Sequence, residues 1–284
     1  MFTLKVENKR GQILELTHDE TNYQVLNVEG LNPPEAEIYT NAVAGMDGEK
    51  FKSSKLQMRN LVLTIKINGE VEANRIHLYE YFRTGAWCKI YYSNGSRNVF
   101  IEGYCEAIEC PLFEMKQQMQ ISIICPNPYL KSLLKIYSDI SKQFANFEFP
   151  FEIEEEGVEF SILEVDRETV VINGGEVSSG LIITLTARNG NVAYPVIYNV
   201  NTGEFLHLNL VMQEGDIIII NTNKGSKSVK KISNGLETNV INSFVAGSTW
   251  FQLPVGASVF TYHATFNDEG LKVEFESNLL YEGV

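Results

Sequence analysis

Turn chemistry constrains this sequence more than any other feature. Six Asn-Gly or Asp-Gly dipeptides punctuate it: Asp47-Gly48, Asn68-Gly69, Asn94-Gly95, Asn173-Gly174, Asn189-Gly190 and Asn234-Gly235. Such pairs supply the positive φ angles that tight hairpins require. Between them, apolar residues recur with period two. Leu61, Leu63, Ile65 and Ile67 share one face of a strand. Met115, Gln117, Met119, Ile121, Ile123 and Cys125 share a face of another, with Lys116, Gln118, Gln120 and Ser122 opposite. Leu206, Leu208 and Leu210 alternate with Phe205, His207 and Asn209. Many short strands with turn signals at this spacing specify an all-β chain, a barrel or a sandwich.

One segment departs from the rhythm. Glu72 to Thr84 places Ile76, Tyr79, Phe82 and Arg83 at helical spacing, and Gly85 stands where a helix C-cap is expected. The reading is one short amphipathic helix closing an end of the first barrel.

At 284 residues, 44% of them hydrophobic, the chain is long for one core and suits two domains. Pro126, Pro128 and Pro150 interrupt regular structure, so the boundary is placed between Tyr129 and Phe151, dividing the chain into 1–140 and 141–284. Charge changes across the same region. Residues 1–146 hold 16 basic and 17 acidic residues, a net of −1, and residues 147–284 hold 7 and 19, a net of −12. Neither half has the basic face that nucleic-acid binding needs. Lys224, Lys227, Lys230 and Lys231 read as a solvated hairpin tip. The N-terminus lacks a signal-peptide pattern, and the longest apolar run, Ile217–Ile220, is strand-length, so neither secretion nor membrane insertion is expected.

Catalytic and metal motifs were sought without success. Cys88, Cys105, Cys110 and Cys125 contain no C-x-x-C pair and read as buried free thiols. The acidic run Glu152–Gly157 lacks calcium-loop spacing and reads as a solvated edge. Lys224-Gly225-Ser226-Lys227-Ser228 lacks the Gly-Lys order of a phosphate loop. No H-E-x-x-H or G-x-S-x-G occurs. No enzyme, cofactor or metal is expected. One pair carries a binding alternative. His207 and Asn209 would share a strand face and could hydrogen-bond sugar hydroxyls, with Trp250 as a stacking surface. The arginine and glutamate that complete a galectin site are missing, so the plainer reading is a polar outer face with Trp250 in the core.

In the first half, an ordered set of segments resembles the siphovirus-type tail component family, the distal tail proteins of tailed bacteriophages. The segments are Gly30-Leu31-Asn32-Pro33-Pro34-Glu35-Ala36, Ala44-Gly45-Met46-Asp47-Gly48, Ser53-Ser54-Lys55-Leu56, Arg59-Asn60-Leu61-Val62-Leu63-Thr64-Ile65, Ile101-Glu102-Gly103-Tyr104-Cys105-Glu106 and Cys125-Pro126-Asn127-Pro128-Tyr129. The second half is similar to the family's C-terminal domain through Phe149-Pro150-Phe151, Asn173-Gly174-Gly175-Glu176-Val177, Tyr194-Pro195-Val196-Ile197-Tyr198-Asn199, Thr202-Gly203-Glu204, Glu214-Gly215-Asp216 and Leu253-Pro254-Val255-Gly256. The resemblance implies an N-terminal split β-barrel (RIFT-related) and a C-terminal galectin-like jelly-roll sandwich. It implies a homo-oligomer, a ring of six copies, joining the tail tube protein to the tail tip, with tail-associated lysin and receptor-binding proteins as partners. The expected location is the virion tail, assembled in the host bacterial cytoplasm. The near-neutral first half is expected to make the subunit contacts, with the hairpin at Ala44, Gly45, Asp47 and Gly48 as a contact arm. The alternative function is a carbohydrate-binding tail component that contacts the host cell wall through the second domain.

Overall fold

The computed structural model describes residues 2–16, 22–113, 117–140 and 168–284. Met115, His18 and the acidic run Glu152–Gly157 lie outside the described residues, as does Phe149-Pro150-Phe151. The chain divides into two units: Met1–Leu134 with Leu280–Val284, and Lys135–Leu279. The second unit therefore does not extend to the last residues, as the linear division at 140 and 141 supposed. Residues 280–284 group with the first unit because arginines of that unit hold their backbone, as described below.

The first unit opens with β1 (Thr3–Asn8), β2 (Ile13–Leu16) and β3 (Tyr23–Glu29), followed by β4 (Ala36–Ala42), β5 (Glu49–Leu56) and β6 (Arg59–Ile67). Helix α1 (Val71–Tyr81) comes next, then β7 (Trp87–Ser93), β8 (Asn98–Glu109), β9 (Gln118–Cys125) and β10 (Leu130–Asp139), which belongs here up to Leu134. Pairing is antiparallel in the order β2-β1-β7-β8-β9-β6-β3. Strand β8 changes partners along its length: Asn98–Tyr104 pairs with β7, and Tyr104–Glu109 pairs with β9 across an irregularity between Cys105 and Ala107. That bend curls the sheet around one core. Among the described residues no ladder joins β2 to β3, so the barrel stays open there.

Period two fills the core as the sequence specified. Leu61, Leu63, Ile65 and Ile67 of β6 are buried, as are Met119, Ile121, Ile123 and Cys125 of β9. Gly103 of β8 stands opposite Cys88 of β7. A Cβ there would stand 2.8 Å from the Cys125 sulfur, so only glycine lets that thiol pack over β8.

Helix α1 differs from the expected span. It stops at Tyr81, short of Thr84, and the seam it buries is Leu78 and Phe82, while Ile76 is 52% exposed. Phe82 leaves helical φ/ψ, its N–H still donating to the Leu78 carbonyl, because its ring is anchored in the core. Gly85 serves the following turn, with its N–H on Cys105 O, rather than capping the helix.

The second unit holds β11 (Glu168–Asn173), β12 (Ser179–Gly180), β13 (Ile182–Ala187), β14 (Val192–Asn199), β15 (Phe205–His207) and β16 (Val211–Met212). It continues with β17 (Ile217–Asn221), β18 (Ser228–Ser233), β19 (Leu236–Asn239), β20 (Gln252–Leu253), β21 (Gly256–Phe266) and β22 (Leu271–Tyr281), the last belonging here up to Leu279. One sheet runs β19-β18-β17-β13-β22, and the other runs β11-β21-β14-β15 with β16 beside β14. Inward residues of both, among them Ile183, Leu185, Ile218, Ile220, Val273 and Phe275 against Val171, Ile197, Phe260 and Tyr262, form one core. This is a two-sheet sandwich.

Three of the expected turns join paired strands: Asp47-Gly48 between β4 and β5, Asn94-Gly95 between β7 and β8, and Asn234-Gly235 between β18 and β19. The other three do not make hairpins. Asn189-Gly190 carries positive φ but links β13 of one sheet to β14 of the other. Asn68-Gly69 leads into α1, and Asn173 is buried, its amide donating to the carbonyls of Val177 and Leu253.

Candidate assembly site

Among the described residues, strands β4 and β5 pair only with each other. Their register runs from Ala36↔Leu56 to Ala42↔Glu49, with an irregularity beside Tyr39. Every residue of β4 and all of β5 but Leu56 is exposed. The exposed set includes large apolar side chains: Ile38 at 57%, Phe51 at 66%, and also Tyr39, Val43 and Met46. Ala44, Gly45, Asp47 and Gly48 form the tip, where both glycines take positive φ. An isolated two-stranded ribbon is marginal in water and leaves both edges unpaired.

The root of this ribbon is fixed by a buried cation. Arg59, the first residue of β6, is 2% exposed. Its Nη1 donates to the carbonyls of Gly30 and, at 2.7 Å, Asn32; Nε donates to Pro128 O at 2.8 Å; Nη2 donates to Glu282 O at 2.5 Å. Burial lowers its pKa, but a guanidinium keeps its proton, so carbonyl dipoles must replace its lost hydration. Gly30 has φ +84°, and a Cβ there would lie 2.1 Å from the Asn60 carbonyl oxygen, so only glycine lets this loop approach β6. Arg97 completes the clasp. It donates to Gly283 O and stacks 4.4 Å from the Tyr281 ring, while Val284 N–H donates to Leu31 O. The segments beginning at Gly30, Arg59 and Cys125, scattered in the sequence, thus meet around one guanidinium. Nothing in the three segments taken singly indicates that role. The signal for burial was present: Arg59 has the same parity as Leu61, Leu63, Ile65 and Ile67, a charge at a core position.

The proposed sugar-binding residues do not form an open platform. Strand β15 ends at His207, whose Nε2 is buried without a hydrogen-bond partner among the described residues. Asn209 lies beyond the strand and is exposed, its N–H on Ser243 O. Trp250 packs against the core, edge-on to Phe244 at 4.7 Å, and Lys227 Nζ sits 5.4 Å from its ring centroid. The basic cluster is also not simply solvated. Lys231 pairs at 2.7 Å with the buried carboxylate of Asp216, and Lys230 pairs with Glu237.

Cys88, Cys105 and Cys125 are buried free thiols, and Cys110 is half-buried. Burial pushes the first three up to about 12, 11 and 12. Among the described residues no group of His, Cys, Asp and Glu could hold a metal ion, and no helix is long and apolar enough to cross a membrane.

Two antiparallel units, an open barrel carrying a projecting ribbon and a two-sheet sandwich, define an all-β architecture. Residues 174–278, which lie within the sandwich, match the model of the siphovirus-type tail component, C-terminal domain. Across the whole chain the fold is similar to that of the SPP1 Dit (gp 19.1) protein, described as a paradigm of the hub adsorption apparatus in Gram-positive infecting phages. The TM-score is 0.69 at 13% identity, over 98% of this chain and 99% of that one. A chain of the phage p2 baseplate in its activated conformation with Sr is similar at TM-score 0.60 and 9% identity, covering 100% of both chains. The same baseplate with Ca gives 0.57 and 9%, again over 100% of both. No curated protein matches the chain.

Proposed function

We propose that this protein is a structural hub of a phage tail tip or baseplate, without enzymatic turnover, and that it works as a closed ring of copies in the virion tail. The observation that carries the reading is the fold likeness to the SPP1 hub protein, which spans both units rather than one. The number of copies, six, follows from the family resemblance. So does placement between the tail tube and the tip, with tail-associated lysin and receptor-binding proteins as partners. The physical support is the ribbon. Head-to-tail contacts close into a ring when the rotation permits, and such contacts need a surface on each copy that only a neighbour covers. The β4–β5 ribbon offers apolar side chains and unpaired edges for that purpose, and residues 1–146 carry a net charge of only −1 to oppose it. Replacing Ile38 and Phe51 by Asp tests the reading by gel filtration. The double variant should elute as a folded monomer under conditions where the unmodified chain elutes as a ring. A ring that survives the double replacement removes the ribbon from the interface.

A further inference from the structure

A groove of about 1070 Å³ lies in the first unit, and none of its lining residues belongs to the ribbon or the arginine clasp. Its walls are the β1–β2 turn, the second half of α1, the turn after Phe82, Trp87 at the start of β7 and Tyr104 in the middle of β8. Two kinds of side chain dominate. Lys9, Arg10 and Arg83 are exposed and form no ion pair among the described residues, and Glu80 is the sole carboxylate of the lining. Beside them stand aromatic rings: Tyr79, Tyr81 and Trp87, half-buried, and Tyr104, 49% exposed.

We propose that this groove is a docking site for an acidic protein segment that carries aromatic or aliphatic side chains between its carboxylates. Charge complementarity fixes the sign of the partner. Three unpartnered cations against one carboxylate give the groove a positive field within a chain whose net charge is −13. The rings then supply anchors, because aromatic residues and arginine carry most of the binding energy at protein interfaces. A single-stranded nucleic acid also combines charge with stacking surfaces. It is disfavoured here because three cations neutralise only a few phosphates, too few for the counterion release that carries such binding. The proposal stands on the groove alone and does not depend on ring formation.

The test uses the full chain with Trp250→Phe, which leaves Trp87 as its single tryptophan. The probes are a labelled synthetic peptide of alternating Glu and Phe, the same peptide with Gln for Glu, the same with Ala for Phe, and a single-stranded oligonucleotide. Anisotropy reports binding, and Trp87 emission reports its place. The Glu/Phe peptide should bind saturably, shift Trp87 emission and weaken with salt. Charge reversal of Lys9, Arg10 and Arg83 to Glu should weaken it by about tenfold or more. Reversal of Lys66, Lys224 and Lys230, three cations elsewhere, should leave it unchanged, and circular dichroism confirms that both variants fold. The Gln and Ala peptides should bind more weakly than the parent. Absence of saturable binding, or binding that the groove reversal does not move, overturns the proposal. Equal binding of the Gln peptide removes the charge argument, and stronger binding of the oligonucleotide reassigns the groove to nucleic acid.

Discussion

Replacing Arg59 by Met should destabilise the first unit by about 3–5 kcal/mol, as expected if about two of its four carbonyl partners are left buried without a donor. The figure follows from the geometry. The guanidinium serves the carbonyls of Gly30, Asn32, Pro128 and Glu282 from a site 2% exposed. A buried acceptor left without a donor costs about 1–3 kcal/mol, and four of them would give more if the site stayed dry. It will not stay dry: the loop at Gly30 and residues 280–284 can separate and let water in, which lowers the total. Methionine fills most of the aliphatic stem, so cavity formation contributes little. Lysine at the same position keeps the charge but cannot reproduce the fork of donors, and should fall between Met and the native residue. The two tryptophans separate the readouts, since Trp87 lies in the first unit and Trp250 in the second. In a Trp250→Phe background, urea unfolding followed by Trp87 emission should shift to lower midpoint in the Met variant. With Trp87→Phe instead, the Trp250 transition should stay where it was. Hydrogen exchange at the Val284 amide should accelerate as the clasp opens. A loss of under about 1 kcal/mol, the size of an ordinary surface substitution, would refute the clasp as a structural lock.

Three further outcomes follow from the same structure. Asp216 is buried, which by itself raises its pKa, but hydrogen bonds from Lys231, Ser233 and the Gln213 N–H outweigh burial and hold the carboxyl below its ordinary 3.8. Its contribution to stability is therefore complete above that value and is lost as pH falls through the lower folded-state value, so Asp216→Asn should flatten the acid limb of the Trp250 unfolding curve; an unchanged limb contradicts the assignment. Of the four thiols, Cys110 should react first with a thiol reagent at neutral pH, and Cys88, Cys105 and Cys125 only after denaturation, because burial holds them protonated; fast labelling of all four in the native chain would show the barrel core to be open. Residues 135–279 expressed alone should melt cooperatively around their own core, and a fragment without a thermal transition would show that the second unit needs the first.

Period two was legible because water enforces it: a slip by one residue would turn every apolar side chain of a strand outward. Leu61 to Ile67 and Met119 to Cys125 were therefore readable, and so was the inward set Leu206 and Leu208. The helix was found but its seam misplaced, since Ile76, Leu78, Tyr79 and Phe82 allow two adjacent stripes and only packing against the barrel selects Leu78 with Phe82. The clasp around Arg59 was hidden for a different reason: parity marks the residue as inward-facing but not what it binds. Its acceptors are backbone carbonyls, which have no letter in a sequence, and they come from positions as far apart as Gly30 and Glu282. The same holds for the return of residues 280–284 to the first unit. The groove of Lys9, Arg10 and Arg83 was equally hidden, because no local pattern brings a turn, a helix end and two strands together.

The hub reading rests on assembly, and the mass of the full-length particle in solution tests it most directly. Mass photometry across a concentration series, with negative-stain images of the same samples, measures it. Raising salt should favour assembly by screening the acidic second units. The account predicts closed rings at six times the 32.1 kDa of one chain, with the ribbon covered in each copy. A species that remains at 32.1 kDa at every concentration and salt, or open filaments in place of rings, would contradict it.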